Sequence, residues 1–226
     1  MKFLIDHADM EQIKRIYAIY PVDGVTTNPS ILAAGMKQPY EALREIRAFI
    51  GADADLHVQA VANTVAGICA DADRIRAEVG EQTYIKVPAT TVGLAAMKKL
   101  KKKGARITAT AIYAPLQAFL AAKAGADFVA PYVNRMDNLG VNGIQMTKTM
   151  QDILDKNRLK TQILAASFKN SQQVLELCEY GIGAATIAPD VIDGLIRNDC
   201  VEQAVCAFVK DFESLCGKGV TMKDAH

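Results

Sequence analysis

The sequence has no surplus of either charge. Lys and Arg number 26 against 25 Asp and Glu, a net charge of +1. That argues against a nucleic-acid surface or an anionic membrane as a partner. No apolar run approaches the length of a membrane span. Residues 1–5 are apolar apart from Lys2, but Asp6 ends the run long before a signal-peptide core can form. Histidine is scarce. His7, His57 and His226 are scattered without ligand spacing, so no metal site is expected. The five cysteines, Cys69, Cys178, Cys200, Cys206 and Cys216, are odd in number and include no Cys-x-x-Cys pair. They are expected to be reduced thiols in a cytoplasmic protein. Apolar residues are plentiful: half of the 226 residues are hydrophobic and 23% are charged. That suffices for a sizeable core and suits one large domain.

One stretch organises the rest. Thr83-Tyr84-Ile85-Lys86-Val87-Pro88 reads as a short buried strand ended by proline, with a lysine among apolar neighbours. Poor solvation favours the neutral amine, and a neutral amine is a nucleophile suited to Schiff-base chemistry with a carbonyl substrate. The competing reading is an edge charge or a snorkelling side chain.

Apolar periodicity predicts eight strand–helix units. The strands fall at 2–5, 24–27, 55–62, 83–88, 106–110, 127–133, 161–166 and 184–188. Residues 28–30, Asn-Pro-Ser, read as a closing turn. Helices are predicted at 9–20, 39–50, 64–79, after the lysine strand up to 103, and at 115–124, 143–157 and 171–180. Two more follow at 191–197 and 201–215. The lysine run from Lys98 to Lys103 reads as a solvated helix end that complements the helix dipole. Short, largely apolar strands joined by short connections indicate a closed (β/α)8 TIM barrel, α/β in class, with an additional C-terminal helix. A single domain over 1–216 and a flexible tail over 217–226 are expected. An open doubly wound sheet would need a glycine-rich fingerprint after strand one, and Asp6-His7-Ala8-Asp9 is not one.

In such a barrel the chemistry sits where strands end and loops begin. Those ends carry Asp6, Thr26-Thr27-Asn28, Gln59, Lys86, Thr110, Tyr132 with Asn134 and Arg135, and Ser167 with Lys169. Each has a dull explanation as a cap or turn residue. A barrel brings them all to one rim.

Four segments, Gly24-Val25-Thr26-Thr27-Asn28-Pro29-Ser30, Ile85-Lys86-Val87-Pro88, Ala130-Pro131-Tyr132-Val133-Asn134-Arg135 and Ala165-Ala166-Ser167-Phe168-Lys169, resemble the motifs of the transaldolase family. More narrowly, they resemble its short-chain branch, which includes fructose-6-phosphate aldolases. The resemblance implies a class I aldolase barrel without metal or cofactor. It makes Lys86 the Schiff-base lysine and Asp6 the acid group that assists proton movements. It puts Thr27 and Asn28 in the dihydroxyacetone pocket. It makes Gln59, Thr110 and Tyr132 the holders of a catalytic water, with Tyr132 as proton donor and acceptor. Arg135, Ser167 and Lys169, with Asn134 beside them, become the substrate-binding group for the phosphate half. The chemistry agrees: a carbinolamine must lose water, which calls for a proton carrier near Lys86, and a sugar phosphate calls for a planar cation such as Arg135.

Two activities share the first half of that reaction. An aldolase cleaves fructose 6-phosphate reversibly and releases dihydroxyacetone and glyceraldehyde 3-phosphate. A transaldolase keeps the three-carbon enamine until an aldose phosphate accepts it, as in the pentose phosphate pathway. The family's transaldolases carry glutamate and phenylalanine where this chain has Gln59 and Tyr132; its aldolases carry the pair found here. The aldolase is therefore expected, with the transaldolase as the alternative. A phosphosugar isomerase would need a glutamate base at a strand end, and none is there. A non-catalytic phosphosugar-binding barrel would have no need of Lys86. Val201, Val205, Phe208, Val209 and Phe212 form an apolar stripe on the last helix. The resemblance implies self-association through that helix into a homodecamer of two pentamers.

Overall fold

The computed structural model describes residues 1–225. Eight parallel strands follow one another in chain order: β1 (Lys2–Asp6), β2 (Gly24–Thr26), β3 (Asp55–Gln59), β4 (Tyr84–Pro88), β5 (Arg106–Ile112), β6 (Phe128–Pro131), β7 (Gln162–Ala165) and β8 (Ala184–Ile187). β1 pairs with β2 on one side and β8 on the other, Leu4 standing opposite both Gly24 and Thr186, so the barrel is closed. Helices α1 (Met10–Ile19), α2 (Pro29–Ala34), α3 (Pro39–Ile50), α4 (Val65–Val79), α5 (Thr91–Lys102), α6 (Pro115–Lys123), α7 (Val133–Asp137), α8 (Gly143–Lys156), α9 (Ser171–Tyr180) and α10 (Pro189–Gly194) alternate with the strands, and α11 (Asp199–Cys216) follows. This is the expected (β/α)8 barrel with an additional C-terminal helix.

Local chemistry sets the joints. Asp9, Thr64, Thr90, Asn142 and Asn170 each cap a helix, their side-chain oxygens accepting a backbone N–H three residues on. Gly181 ends α9 in the left-handed conformation at φ 87°. Gly24 is needed for close approach, because a Cβ there would lie 2.1 Å from the Asp55 carbonyl oxygen on β3. In the lysine run, Lys101 reaches Asp127 at 2.6 Å and Lys103 reaches Asp73 at 2.8 Å.

The structure departs from the sequence expectation at several joints. Residues 28–30 open a helix instead of closing a turn: Asn28 Oδ1 accepts from Ile31 N at 3.0 Å, and Pro29 takes the first helical position. β3 ends at Gln59, short of the expected 62. β6 stops at Pro131, and Val133 begins α7. β5 runs on to Ile112 through an irregular register. The last two helices are Pro189–Gly194 and Asp199–Cys216 in place of 191–197 and 201–215.

Inside the barrel, alternation stacks two layers. The lower one holds Leu4, Phe128, Leu164 and Ala184, with Tyr84 packed against them. His57 stacks on Tyr84 with ring centroids 4.5 Å apart and accepts or donates a 2.8 Å hydrogen bond at Thr108. Burial, with the charge of Lys86 next, holds its pKa well below the ordinary histidine value, so the ring is neutral. Two residues further along each strand come Asp6, Gln59, Lys86, Ala130, Ala166 and Thr186, which face the upper mouth.

The chain divides into two units, Met1–Ile192 and Asp193–His226. The second contains α11 and then turns up to Ala225, where Gly219 N–H donates to the Glu213 carboxylate at 2.9 Å. The expected tail over 217–226 reaches one residue, His226, beyond the described ones. Within this unit Val205, Phe208, Val209, Phe212, Val220 and Met222 line an apolar groove. Among the described residues no helix is long and apolar enough to cross a membrane.

Candidate active site

Lys86 is the third residue of β4, and alternation turns it into the barrel one layer above Tyr84. Only 5% of it is exposed. Its Nζ donates to the Thr27 carbonyl at 2.6 Å. Burial pushes its pKa below the ordinary lysine value, and the negative charge of Asp6 works in the opposite direction. A carbonyl offers a hydrogen bond without a full countercharge, so the amine stays costly to protonate.

Asp6, at the end of β1, is oriented by a short chain of hydroxyls. Thr26 Oγ1 donates to Asp6 Oδ1 at 2.7 Å and lies 2.7 Å from Thr186 Oγ1. Thr26 has one proton and gives it to Asp6, so it must accept from Thr186. Across the barrel, the Tyr132 hydroxyl lies 2.8 Å from Thr110 Oγ1. The Arg135 guanidinium sits 4.7 Å above the Tyr132 ring.

A cavity of about 280 Å³ opens over these groups. Asp6, Asn28, Gln59, Lys86, Tyr132, Arg135 and Ser167 line it together. Four other predicted site residues stand outside the lining. Thr27 is fully buried; its carbonyl receives Lys86, and its hydroxyl donates to the His57 carbonyl at 3.2 Å. Thr110 stands behind Tyr132 and is also fully buried. Asn134 N–H donates to the Ser167 carbonyl at 2.7 Å, tying α7 to the end of β7. Lys169 N–H donates to Gln173 Oε1 at 2.7 Å. Ser167 holds a left-handed conformation, φ 61°, that a serine keeps only under local constraint. Helix α9 begins at Ser171, so no helix N-terminus stands at Ser167 itself.

Thr26, singled out at the end of strand two but given no role, lines the cavity as well, and sequence reasoning overlooked Ser30, Ala111, Tyr113 and Thr186, which also line it. Thr186 was findable by counting two residues on from Ala184 once the lower layer is known. Tyr113 was not, because strict alternation from Thr110 points it outward. Among the described residues no three His, Cys, Asp or Glu side chains gather as metal ligands do.

The chain has relatives over nearly all of its length. Residues 3–224 match the family model described as Transaldolase/Fructose-6-phosphate aldolase. The chain belongs to that family. A protein named as a probable fructose-6-phosphate aldolase, from Streptococcus pneumoniae, is 39% identical over 213 residues, covering 94% of this chain and 96% of its own length. The transaldolase/fructose-6-phosphate aldolase family acts on sugar phosphates, and a cavity with a buried amine at its base and a guanidinium at its side suits a phosphorylated carbonyl compound.

Proposed function

We propose that this protein is a class I aldolase that cleaves fructose 6-phosphate reversibly to dihydroxyacetone and glyceraldehyde 3-phosphate. The observation that carries the reading is Lys86, a buried amine held by a carbonyl at the cavity and pushed toward its neutral form. The amine attacks the substrate ketone and forms a carbinolamine. Loss of water gives an iminium, which draws the electron pair of the bond between the third and fourth carbons as that bond breaks. The fourth-carbon hydroxyl gives up its proton, and glyceraldehyde 3-phosphate departs. The enamine left on Lys86 takes a proton at its third carbon, and water then releases dihydroxyacetone and the free amine.

Tyr132, partnered by Thr110, is the group we assign to carry protons in these steps, with Gln59 beside Lys86 on the neighbouring strand. Asp6, oriented by Thr26 and Thr186, takes the substrate hydroxyls, with Asn28. Arg135 and Ser167 take the phosphate. Thr27 acts through its carbonyl on Lys86. We assign the exposed apolar side chains of α11, Val205, Phe208 and Val209, to self-association in a ring-based oligomer.

The test is release of glyceraldehyde 3-phosphate from fructose 6-phosphate without any acceptor, read by a coupled dehydrogenase. Sustained turnover with accumulating dihydroxyacetone supports the aldolase. A burst of about one equivalent per site, renewed only by an added aldose phosphate, identifies a transaldolase instead.

A further inference from the structure

The end of β5 breaks the alternation that governs the rest of the barrel. β5 pairs with β6 through Thr108↔Phe128 and Ala109↔Val129, and next through Ile112↔Pro131. Three steps on β5 therefore match two on β6, which is a bulge of one residue. Ala111 lies in it at φ 56°, a left-handed conformation that an alanine adopts only under constraint. Thr108 and Thr110 both point inward, to His57 and to Tyr132. Unbroken alternation would send Ile112 inward next and Tyr113 outward. The bulge reverses this. Ile112 is fully buried and absent from the cavity lining, whereas Ala111 and Tyr113 both line it.

The re-aimed tyrosine is anchored and has a partner. Tyr113 N–H and Ala114 N–H both donate to Gln117 Oε1, at 2.8 and 3.0 Å, which fixes the backbone. The ring meets Tyr132 edge to face, with centroids 5.6 Å apart. Tyr113 and Arg135 thus flank Tyr132 in the cavity lining, and the Tyr113 side chain is the main reason the pKa of Arg135 is raised. Arg135 is a long, exposed side chain. Left free, it would have to surrender several rotamers to grip an anion. Here it lies over the Tyr132 ring, which Tyr113 buttresses edge to face.

We infer that Tyr113 is a positioning residue that pre-orients the Arg135 fork for the phosphate-bearing half of the substrate, and that the β5 bulge delivers it. This rests on the function proposed above for its substrate class, and on the bulge and the stacking of Tyr113, Tyr132 and Arg135 for the positioning role. The hydroxyl makes no bond with reacting atoms; it acts through Arg135. Its removal therefore weakens phosphate recognition and leaves the carbon chemistry in place.

The test compares the wild type with Tyr113→Phe in two measurements. The first is the dissociation constant of inorganic phosphate by titration calorimetry. The second is the ratio of kcat/KM for glyceraldehyde 3-phosphate to that for phosphate-free glyceraldehyde, each with dihydroxyacetone. Loss of the polar group that braces the guanidinium is expected to weaken phosphate binding about fivefold to tenfold and to lower the ratio similarly, through KM. A thermal melt checks that the variant is folded. Unchanged phosphate affinity overturns the inference, as does an equal fall with both aldehydes. A wild type that binds no phosphate overturns it too, because Arg135 is then no anion site. A wild type that binds phosphate more tightly than the variant but shows no carbon–carbon chemistry leaves the inference standing and removes the proposed activity.

Discussion

Two lysines point into the same barrel, at opposite ends, and meet opposite treatment. Lys2, at the start of β1, reaches Asp55 at 2.5 Å. Burial lowers its pKa somewhat, but the hydrogen bond and the charge of Asp55 outweigh that, so the net shift is upward. Lys86 is far more buried and donates to the Thr27 carbonyl, and its pKa falls. The first lysine is a charge kept as a charge. The second is a charge made expensive. What separates a structural lysine from a chemical one in this fold is depth together with the partner at Nζ: Lys86 is deeply buried without a paired carboxylate, Lys2 shallow with one.

The strongest way to break this contrast is to remove each member. Lys86→Met is expected to reduce turnover by about 10⁴-fold or more, since no other amine lines the cavity to form the covalent intermediate. Its stability in urea should equal or exceed that of the wild type, because a costly buried amine is replaced by an apolar side chain of similar length. Retained turnover would end the Schiff-base reading. Tyr132→Phe comes next. Acceptor-free cleavage should fall about a hundredfold while transfer to an added aldose phosphate is kept or gained. An unchanged ratio of the two rates would refute the role given to that hydroxyl.

At the other end, Asp55→Asn should leave the activity of the folded enzyme within about twofold, because it lies on the side of the barrel away from the cavity. Its cost should be in stability, about 1–3 kcal/mol by urea titration. Asp55 is buried, but Lys2 is partly solvated and able to turn to water. A large loss of activity in that variant would mean the two ends are coupled.

The smallest effect carries the sign of each shift. Lys86 has a folded-state pKa below its unfolded value of 10.5. Between those two values the unfolded chain binds more protons, so stability rises with pH across that window. The urea midpoint of the wild type should gain on that of Lys86→Met as pH climbs toward 10.5. Lys2 has the opposite shift, so its contribution is fully present below 10.5 and is lost as pH rises through its folded-state pKa. The wild type should accordingly keep its advantage over Lys2→Met until pH passes the ordinary lysine value. Parallel curves for the two comparisons would contradict the distinction.

Much of this was legible along the chain, for physical reasons. Apolar periodicity and caps are local, so eight strand–helix units could be counted without the fold, and the strand ends pointed to Asp6, Gln59, Lys86, Tyr132 and Arg135. What stayed hidden depends on partners. Asn28-Pro29-Ser30 suits a turn or a helix start equally; the short helix α2 that Asn28 caps decides it. The switch from strand to helix at Val133 depends on its N–H finding the Ala166 carbonyl on the adjacent strand end. Thr186 lies in a strand that reads as apolar throughout, and its inward direction is set by pairing with β1. Tyr113 was the hardest, because a bulge exists only relative to the neighbouring strand, and strict alternation from Thr110 points the wrong residue inward.

Whether Lys86 forms a covalent imine is measured most directly by reductive trapping. The protein is incubated with dihydroxyacetone, reduced with borohydride, digested, and mapped by mass spectrometry. One stable adduct is expected, on the peptide carrying Lys86, abolished in Lys86→Met and leaving Lys2 unmodified. An enzyme that turns over but yields no adduct, or yields it on another lysine, would contradict the imine on Lys86.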